Sequence, residues 1–255
     1  MCEHEPLIFS DLDGTLIFSA AKKRPGDIVC EYKDGAEISC ITPRQAELLP
    51  GLDIIPVTTR SIEQYRRINF PSGFSPEYSL TDNGGTLLIN GIPDQEWTSQ
   101  TMRLVQESSA ELERCRAVLE RDISRNFEIR MVDGMFLFTK SAAPELTLER
   151  LRKVAGKSQC FATGAKVYVL PAGLCKGAAI KRLAERIALH RSFSRTVCAG
   201  DSAMDISMLN SADTAVFPED ISGVAAAEKV VSARERFPEF VTEYFASITG
   251  AKQRI

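Results

Sequence analysis

The sequence predicts an α/β protein with a core of parallel strands and an antiparallel α+β insert. Short apolar segments that end in Gly- and Asp-rich turns alternate with helical patterns, which is typical of a parallel sheet. In the middle of the chain, two α-β-β patterns follow each other, which favours antiparallel pairing there. The 255 residues, of which 44% are hydrophobic and 25% charged, are enough to bury a large core.

Four segments are predicted as core strands because both of their faces are apolar, as in a sheet covered on both sides. They are residues 7–9, 54–57, 196–199 and 214–217. Thr42 and Pro43 have the residue types of an N-cap and first turn, and predict a helix through Leu49. Apolar residues at helical spacing predict a second helix from Lys176 to Leu189.

The insert is predicted between boundaries near Gly85 and Pro171, so that residues 1–84 and 171–255 form the core and residues 85–170 the insert. Its first unit is a long amphipathic helix from about residue 98 to 121, followed by a hairpin that turns at Asp133-Gly134. Its second unit is a helix from Pro144 to a stop at Gly156, followed by strands at about 158–163 and 166–170. Another hairpin, with its turn at 33–35, is predicted within residues 19–41, beside the expected site.

The charge balance excludes several classes of partner. The 31 basic and 34 acidic residues give a net charge of −3, so no overall positive field attracts nucleic acid or anionic lipid. The start MCEHEP is acidic where a signal peptide is basic, and no apolar segment approaches the roughly 18 residues of a membrane span. Seven cysteines without a C-x-x-C pair, and only two histidines, argue against zinc and favour a reduced, cytoplasmic chain. The sequence does not predict an oligomeric state.

Acidic residues follow two of the predicted strands at their carboxyl ends, where open α/β sheets place ligand sites. Asp11 and Asp13 follow the first strand, and two ionised carboxylates this close need a cation such as Mg²⁺ or one raised pKa. Asp201 and Asp205 follow a later strand. Asp201 is a candidate Mg²⁺ ligand, whereas Asp205 is equally explained as the capping partner of Ser202.

Groups that suit phosphate follow two other elements. Thr58, Thr59 and Arg60 end the second predicted strand with hydroxyl and guanidinium groups, which bind phosphate oxygens. Lys176 opens a helix whose positive N-terminus disfavours a lysine, so an anion or a carboxylate is expected beside it.

Alternation along the strands of the insert predicts which side chains face the helices. Phe127, Ile129 and Met131 are predicted on the helix side, which leaves Arg130 on the other face. Lys166 and Tyr168 alternate in the same way with two valines. Arg130, Lys166 and Tyr168 are therefore candidate substrate contacts, and a solvated sheet face is the alternative.

The segments DLDGTL, VTTR, CKG and GDSAMD occur in this order, each at the end of a strand or the start of a helix. This order resembles the four motifs of the haloacid dehalogenase-like superfamily. Asn83-Gly84-Gly85 before the insert and LPAGLCKGAAI after it are similar to its branch of Cof-like and sucrose-phosphatase-like sugar-phosphate phosphatases, which carry a large α/β cap between motifs two and three. The resemblance implies a Rossmann-like, doubly wound parallel core with the insert as its cap.

The resemblance also implies roles for the motif residues. Asp11 would be the nucleophile that forms an aspartyl-phosphate, and Asp13 the general acid and then the base. Thr58 would hold phosphoryl oxygens, and Lys176 would neutralise Asp11 and the transferred group. Asp201, Asp11 and the carbonyl of Asp13 would ligate Mg²⁺, with Asp205 supporting the metal or its waters. Further candidate substrate contacts are Thr59, Arg60 and Asn83.

These roles predict a Mg²⁺-dependent phosphatase that acts on a small phosphorylated metabolite, with a sugar phosphate as the expected substrate. Two departures from the branch affect the finer metal coordination: Met204 replaces the common Asn, and residues 217–219 replace Gly-Asn-Ala. One alternative is a phosphomutase of the phosphomannomutase type, which shares the motifs and a similar cap. The other is a non-catalytic phospho-acceptor or binding module, although the insert and Asp13 have no purpose there.

Overall fold

The computed structural model of the protein describes residues 4–250. The first three residues of the acidic start, Cys2 among them, lie outside the described residues. Within residues 4–250, the six cysteines are free thiols. No helix in this part of the chain has both the length and the apolar character needed to cross a membrane.

Residues 4–250 form fifteen strands and eight α-helices. The strands are β1 (Leu7–Ser10), β2 (Phe18–Ser19), β3 (Ile28–Lys33), β4 (Ala36–Ile41), β5 (Ile54–Pro56), β6 (Tyr78–Thr81), β7 (Thr86–Ile89), β8 (Ile92–Pro93), β9 (Arg130–Val132), β10 (Phe136–Lys140), β11 (Gln159–Thr163), β12 (Lys166–Leu170), β13 (Thr196–Ala199), β14 (Thr214–Pro218) and β15 (Glu228–Ser232). The helices are α1 (Pro43–Leu48), α2 (Ile62–Arg66), α3 (Gln95–Glu107), α4 (Ser109–Glu120), α5 (Pro144–Arg152), α6 (Lys176–Ala188), α7 (Ile206–Leu209) and α8 (Phe237–Ile248).

The core sheet has five parallel strands in the order β15-β14-β13-β1-β5, which confirms the predicted α/β class. Successive side chains of β1 enter different hydrophobic clusters on the two faces of the sheet. Phe9 packs with Leu183 of α6, and Ile8 packs with Phe237 of α8. The predicted sheet lacked β15, because this edge strand has exposed charged residues instead of an apolar pattern.

The cap sheet is antiparallel, in the order β11-β12-β10-β9, and confirms the predicted hairpins. Helices α4 and α5 cover one of its faces through a cluster that includes Leu112, Leu137 and Leu151. The single long helix predicted from about residue 98 to 121 is wrong, because the chain breaks at Ser108 into α3 and α4. The Ser108 hydroxyl accepts a hydrogen bond from the Ala172 N–H at 3.2 Å, so a distant loop stabilises the break.

Two small antiparallel sheets flank the core. Strands β2, β4 and β3 form one of them, and its turn at Asp34 and Gly35 agrees with the predicted hairpin. Strands β6, β7 and β8 form the other, which spans the predicted boundary at Gly85. Trp97 of α3 also packs in the same cluster as Phe9 of the core. We therefore propose that the cap begins beyond Trp97, later than predicted.

Candidate active site

The loops that carry the predicted acids meet at the carboxyl ends of β1 and β13. The Asp11 N–H donates to the carbonyl of Ala199, the last residue of β13, at 2.9 Å. Gly14 then adopts a φ of +87°, and a Cβ at this position would lie 2.3 Å from Asp201 Oδ2. A glycine is therefore required here both for the left-handed turn and for the close approach of the two loops.

Lys176 lies between two of the carboxylates. Its Nζ donates to Asp11 Oδ1 at 2.5 Å and to Asp205 Oδ1 at 2.6 Å, and the residue is only 1% exposed. Burial alone would lower the pKa of Lys176, but the charges of Asp11 and Asp205 raise it above its ordinary value. The carboxylates expected beside this lysine at the start of α6 are thus present, and the ammonium is held in its charged form.

Asp205 uses both carboxylate oxygens within the protein. Oδ1 accepts from Lys176, and Oδ2 accepts from the N–H groups of Asp201 and Ser202 and from the Ser202 hydroxyl. The structure thus contains the capping box between Ser202 and Asp205. These bonds support a role for Asp205 in orienting Lys176 and the loop that carries Asp201.

A set of carboxylates suited to a metal lies in the same place. One oxygen each from Asp11, Asp201 and Asp205 lie within 4.8 Å of one another. Lys176 donates to one carboxylate oxygen of Asp11, and Arg234 donates to one of Asp201. The other carboxylate oxygen of each residue accepts no hydrogen bond from the described residues. Magnesium prefers such hard oxygen donors and is commonly held by one or two carboxylates, so these residues fit Mg²⁺.

The pKa values of Asp11 and Asp201 are both raised, chiefly because these acids are buried. Burial raises the pKa of Asp11 well above its ordinary value, and Lys176 opposes this only in part. Burial, with a contribution from Asp205, raises the pKa of Asp201 to about 6, against the effect of Arg234. A divalent cation between them would favour both ionised forms.

Asp13 forms an ion pair that no sequence pattern indicated. Arg60 donates two hydrogen bonds of 2.7 Å to its carboxylate, one to each oxygen. Loss of bulk water would raise the pKa of Asp13, but these bonds and the Arg60 charge bring it below its ordinary value. Arg60, a candidate substrate contact, therefore binds a predicted catalytic acid in this structure.

Glu31 of β3 lies on the other side of Arg60. Its side chain is fully buried, and its carboxylate accepts from Arg60 at 2.9 Å, Arg67 at 3.3 Å and Ser39 at 2.7 Å. No sequence pattern indicates this residue, because an acidic residue on a hairpin strand is ordinarily exposed. Glu31 connects the β3–β4 hairpin to Asp13 through Arg60.

The remaining predicted core residues lie around this centre. Thr58 is buried, and its hydroxyl accepts from the Arg60 N–H at 3.1 Å. Thr59 is partly exposed. Asn83 is buried, and its amide group donates to the carbonyl of Leu174 at 3.3 Å, two residues before Lys176. The Asn83 side chain thus connects the segment before the cap with the segment after it.

The predicted cap residues share one face of the cap sheet. Arg130 and Tyr168 are both opposite Phe138 of β10. Lys166 lies two residues before Tyr168 on β12, and so on the same face. Arg130 is half-exposed and forms an ion pair with Glu128. Tyr168 is 9% exposed, and burial together with the negative charge of Asp13 raises its pKa to about 12.

The predicted position of Phe127 is wrong. Met131 is directly opposite Leu137 of β10, which lies beneath the helices, and Ile129 packs against the same cluster. The Phe127 ring instead contacts Phe138 on the opposite face, with a centroid distance of 5.9 Å. Phe127 precedes β9, so strand alternation does not determine its orientation.

Two residues near the loop that carries Asp201 were not recognised or not explained from the sequence. Arg234 donates to Asp201 Oδ2 at 3.0 Å and to the Asp201 carbonyl at 2.8 Å, and also binds Asp220. Met204, which replaces the common Asn, is buried in the hydrophobic cluster of the cap. Met204 thus packs the loop that carries Asp201 against the cap, which explains an apolar residue at this position.

Comparisons with known proteins agree with this fold. The profile of the family described as sucrose-6F-phosphate phosphohydrolase matches residues 4–251. The sucrose-phosphatase of Synechocystis sp. PCC6803, solved with sucrose and phosphate, is 17% identical, with a TM-score of 0.65 over 95% of this chain and 98% of that one. The C-terminal domain of C. albicans trehalose-6-phosphate phosphatase is also 17% identical, with a TM-score of 0.58 over 97% and 93%. No curated protein matches the chain.

The fold and the family match define a phosphatase of the haloacid dehalogenase superfamily, that is, a phosphoric monoester hydrolase. Within that superfamily, the chain belongs to the sucrose-6F-phosphate phosphohydrolase family. The class predicted from the four motifs, including the capped α/β fold, is thereby confirmed.

Proposed function

We propose that this phosphatase depends on Mg²⁺ and hydrolyses a sugar phosphate through an aspartyl-phosphate on Asp11. The observation that carries the proposal is the buried Lys176 ammonium, which contacts both Asp11 and Asp205 in the carboxylate cluster. The description of the family, and those of the sucrose- and trehalose-phosphate phosphatases of similar fold, support a sugar phosphate as the substrate class. They also favour hydrolysis over the mutase reaction.

In the proposed reaction, the carboxylate oxygen of Asp11 that does not hold the metal attacks phosphorus, and the sugar oxygen leaves with a proton from Asp13. Lys176 and Thr58 would stabilise the charge on the transferred phosphoryl group. Asp13 then takes a proton from water, which attacks the aspartyl-phosphate and releases phosphate. Asp11, Asp201 and the carbonyl of Asp13 would hold Mg²⁺, which would neutralise phosphoryl oxygens.

The Arg60 ion pair bears on the two tasks of Asp13. It favours the carboxylate form, which is the form that accepts a proton from water in the second half-reaction. The first half-reaction needs a protonated Asp13, so we propose that the two hydrogen bonds from Arg60 open before the sugar leaves. Glu31 can keep Arg60 paired when that happens, because it binds a different guanidinium nitrogen.

The test is phosphate release from a panel of sugar phosphates, measured with Mg²⁺ and with a chelator. We expect Mg²⁺-dependent release by the natural protein and a loss of at least 1,000-fold, roughly 4 kcal/mol, in Asp11→Asn. Asp53→Asn is the matched control, because Asp53 forms only an exposed ion pair with Arg191. Full release by Asp11→Asn, or release that survives chelation, would contradict the proposal. An isomer formed from a hexose 1-phosphate with a bisphosphate activator would indicate the mutase.

A further inference from the structure

Three aromatic rings form a row on the face of the cap sheet that is not covered by the cap helices. We call Phe127, Phe138 and Tyr168 the aromatic row. The ring centroids of Phe127 and Phe138 lie 5.9 Å apart, and those of Phe138 and Tyr168 lie 5.2 Å apart. Tyr168 packs in the same hydrophobic cluster as Met204, which directly precedes Asp205 in the loop that carries Asp201. The Tyr168 end of the row is therefore next to the candidate catalytic centre.

Positive side chains lie beside this row. Lys140 and Lys166 are directly opposite each other across β10 and β12, in register with the Phe138–Tyr168 pair two residues away. The Lys140 Nζ is 5.0 Å from the centroid of Phe127, and the Arg130 guanidinium is 4.7 Å from the same centroid. Side chains two residues apart on a strand share a face, so Lys140 and Lys166 lie on the same face as Phe138 and Tyr168. The lysine pair thus belongs to the side of the cap that carries the aromatic row.

Within the part of the chain that the structure describes, the two lysines lack an ionic partner, whereas Arg130, the other charged residue on the strands of this sheet, has one. Arg130 forms an ion pair with Glu128, but among residues 4–250 no carboxylate lies within ion-pair distance of Lys140 or Lys166. Like charges placed directly opposite in an antiparallel pair are destabilising. An anionic group of a ligand placed between them would remove this repulsion.

We propose that the aromatic row and the Lys140–Lys166 pair bind the leaving group of the substrate, and that this leaving group carries a carboxylate or a second phosphate. The inference rests on the proposed function, and it narrows the substrate from sugar phosphates in general to those with an acidic leaving group. The rings offer flat apolar surfaces to the carbon skeleton, and the lysines offer donors to the anion. The scissile phosphate is bound separately, at Asp11 and Lys176.

Matched substrate pairs test the inference. In the first pair, 6-phosphogluconate carries a carboxylate that glucose 6-phosphate lacks. In the second pair, fructose 1,6-bisphosphate carries a second phosphate that fructose 6-phosphate lacks. We expect kcat/KM at least tenfold higher for the acidic member of one pair or both, and the pair that responds identifies the anion. The inference would be overturned if the natural protein had an equal or higher kcat/KM for the member of each pair that lacks the added anion.

Variants locate the effect. Lys140→Gln and Lys166→Gln should each reduce the acidic-to-neutral ratio of kcat/KM about tenfold, toward one. Lys153→Gln is the matched control, because Lys153 is exposed and follows α5, on the helix side of the cap. A ratio unchanged in both test variants, with thermal unfolding showing that they fold, contradicts the inference.

The inference and the proposed function fail in different ways. Absence of release from every substrate, or equal release by Asp11→Asn, contradicts the proposed function. The same substrate pairs are then compared by calorimetric binding to Asp11→Asn with Mg²⁺. At least tenfold tighter binding of an acidic member, lost in the double variant with Lys140→Gln, would support the lysine site even then. Equal binding of both members, or no binding of either, would overturn it.

Discussion

Glu31 shows how a single buried charge can organise a site from outside it. A buried carboxylate is costly unless ionic partners and hydrogen bonds compensate for its lost hydration. Glu31 has Arg60, Arg67 and Ser39 as partners, and Arg60 in turn binds Asp13. The position of the Arg60 guanidinium therefore depends on the β3–β4 hairpin as well as on Asp13.

Neutralising Glu31 should destabilise the protein more than neutralising an exposed acid of the same hairpin. We expect Glu31→Gln to lower the free energy of unfolding by about 2–4 kcal/mol, because two arginines lose their buried partner. The control is Glu37→Gln, which removes only the exposed ion pair with Lys23 and should cost less than about 1 kcal/mol. Denaturant unfolding measures both values, and equal losses would contradict the role assigned to Glu31.

At the scale of elements, the turn between β6 and β7 concentrates unusual backbone and buried polar groups. Asp82 and Asn83 both have left-handed φ values, +54° and +59°, although neither is a glycine. Within the described residues, Asp82 Oδ1 and Asn83 Oδ1 are buried without a hydrogen-bond partner. Burial, with a contribution from Asp133 in the β9–β10 turn, raises the pKa of Asp82 to about 7. This turn therefore places an acid of the core next to an acid of the cap.

The raised pKa of Asp82 predicts how stability depends on pH. Between the ordinary value of 3.8 and about 7, the folded protein keeps a proton that the unfolded chain has released. The free energy of unfolding should therefore fall as pH rises through this range. Asparagine tolerates the left-handed backbone and cannot ionise. Between pH 5 and 8, the Asp82→Asn variant should therefore lose about 1–3 kcal/mol less of its free energy of unfolding than the natural protein does.

The control for this prediction is Asp34→Asn, the same change at a left-handed position in the exposed β3–β4 turn. Denaturant unfolding at pH 5, 6.5 and 8 gives the three pH profiles. We expect the Asp34→Asn profile to follow that of the natural protein. If the Asp82→Asn profile did so as well, Asp82 would not be the titrating group.

At the scale of the whole molecule, the candidate metal site exists only when the chain is folded. Asp11 follows β1 and Asp201 follows β13, and these strands are far apart in the sequence but adjacent in the sheet. A cation that binds this arrangement binds the folded state alone, and so stabilises it by mass action. Metal binding should therefore be measurable without any substrate.

We expect Mg²⁺ to raise the melting temperature of the protein. At free Mg²⁺ 100 times its dissociation constant, the stabilisation is about 2.7 kcal/mol, which corresponds to a shift of roughly 5–10 °C. Asp201→Asn should lose most of this shift, whereas the surface control Asp53→Asn should keep it. A thermal shift measured with and without a chelator tests the prediction, and an undiminished shift in Asp201→Asn would place the metal elsewhere.

The sequence by itself determined the features that depend on neighbouring residues. Apolar segments predicted β1, β5, β13 and β14, turn residues predicted the hairpins, and the order of four motifs indicated the superfamily. It also indicated which residues to examine, and the structure brings Asp11, Lys176, Asp201 and Asp205 together. Their catalytic and metal-binding roles, and the exact division between core and cap, stay predictions.

Only the tertiary structure decided the features that depend on residues distant in the chain. The break at Ser108 is stabilised by Ala172, and Met204 is apolar because it packs against the cap. Glu31 and Arg234 act through Arg60 and Asp201, which lie 29 and 33 residues away. Local patterns specify helical and strand periods, but the partner of a buried charge is chosen by packing, which joins segments that no local pattern connects.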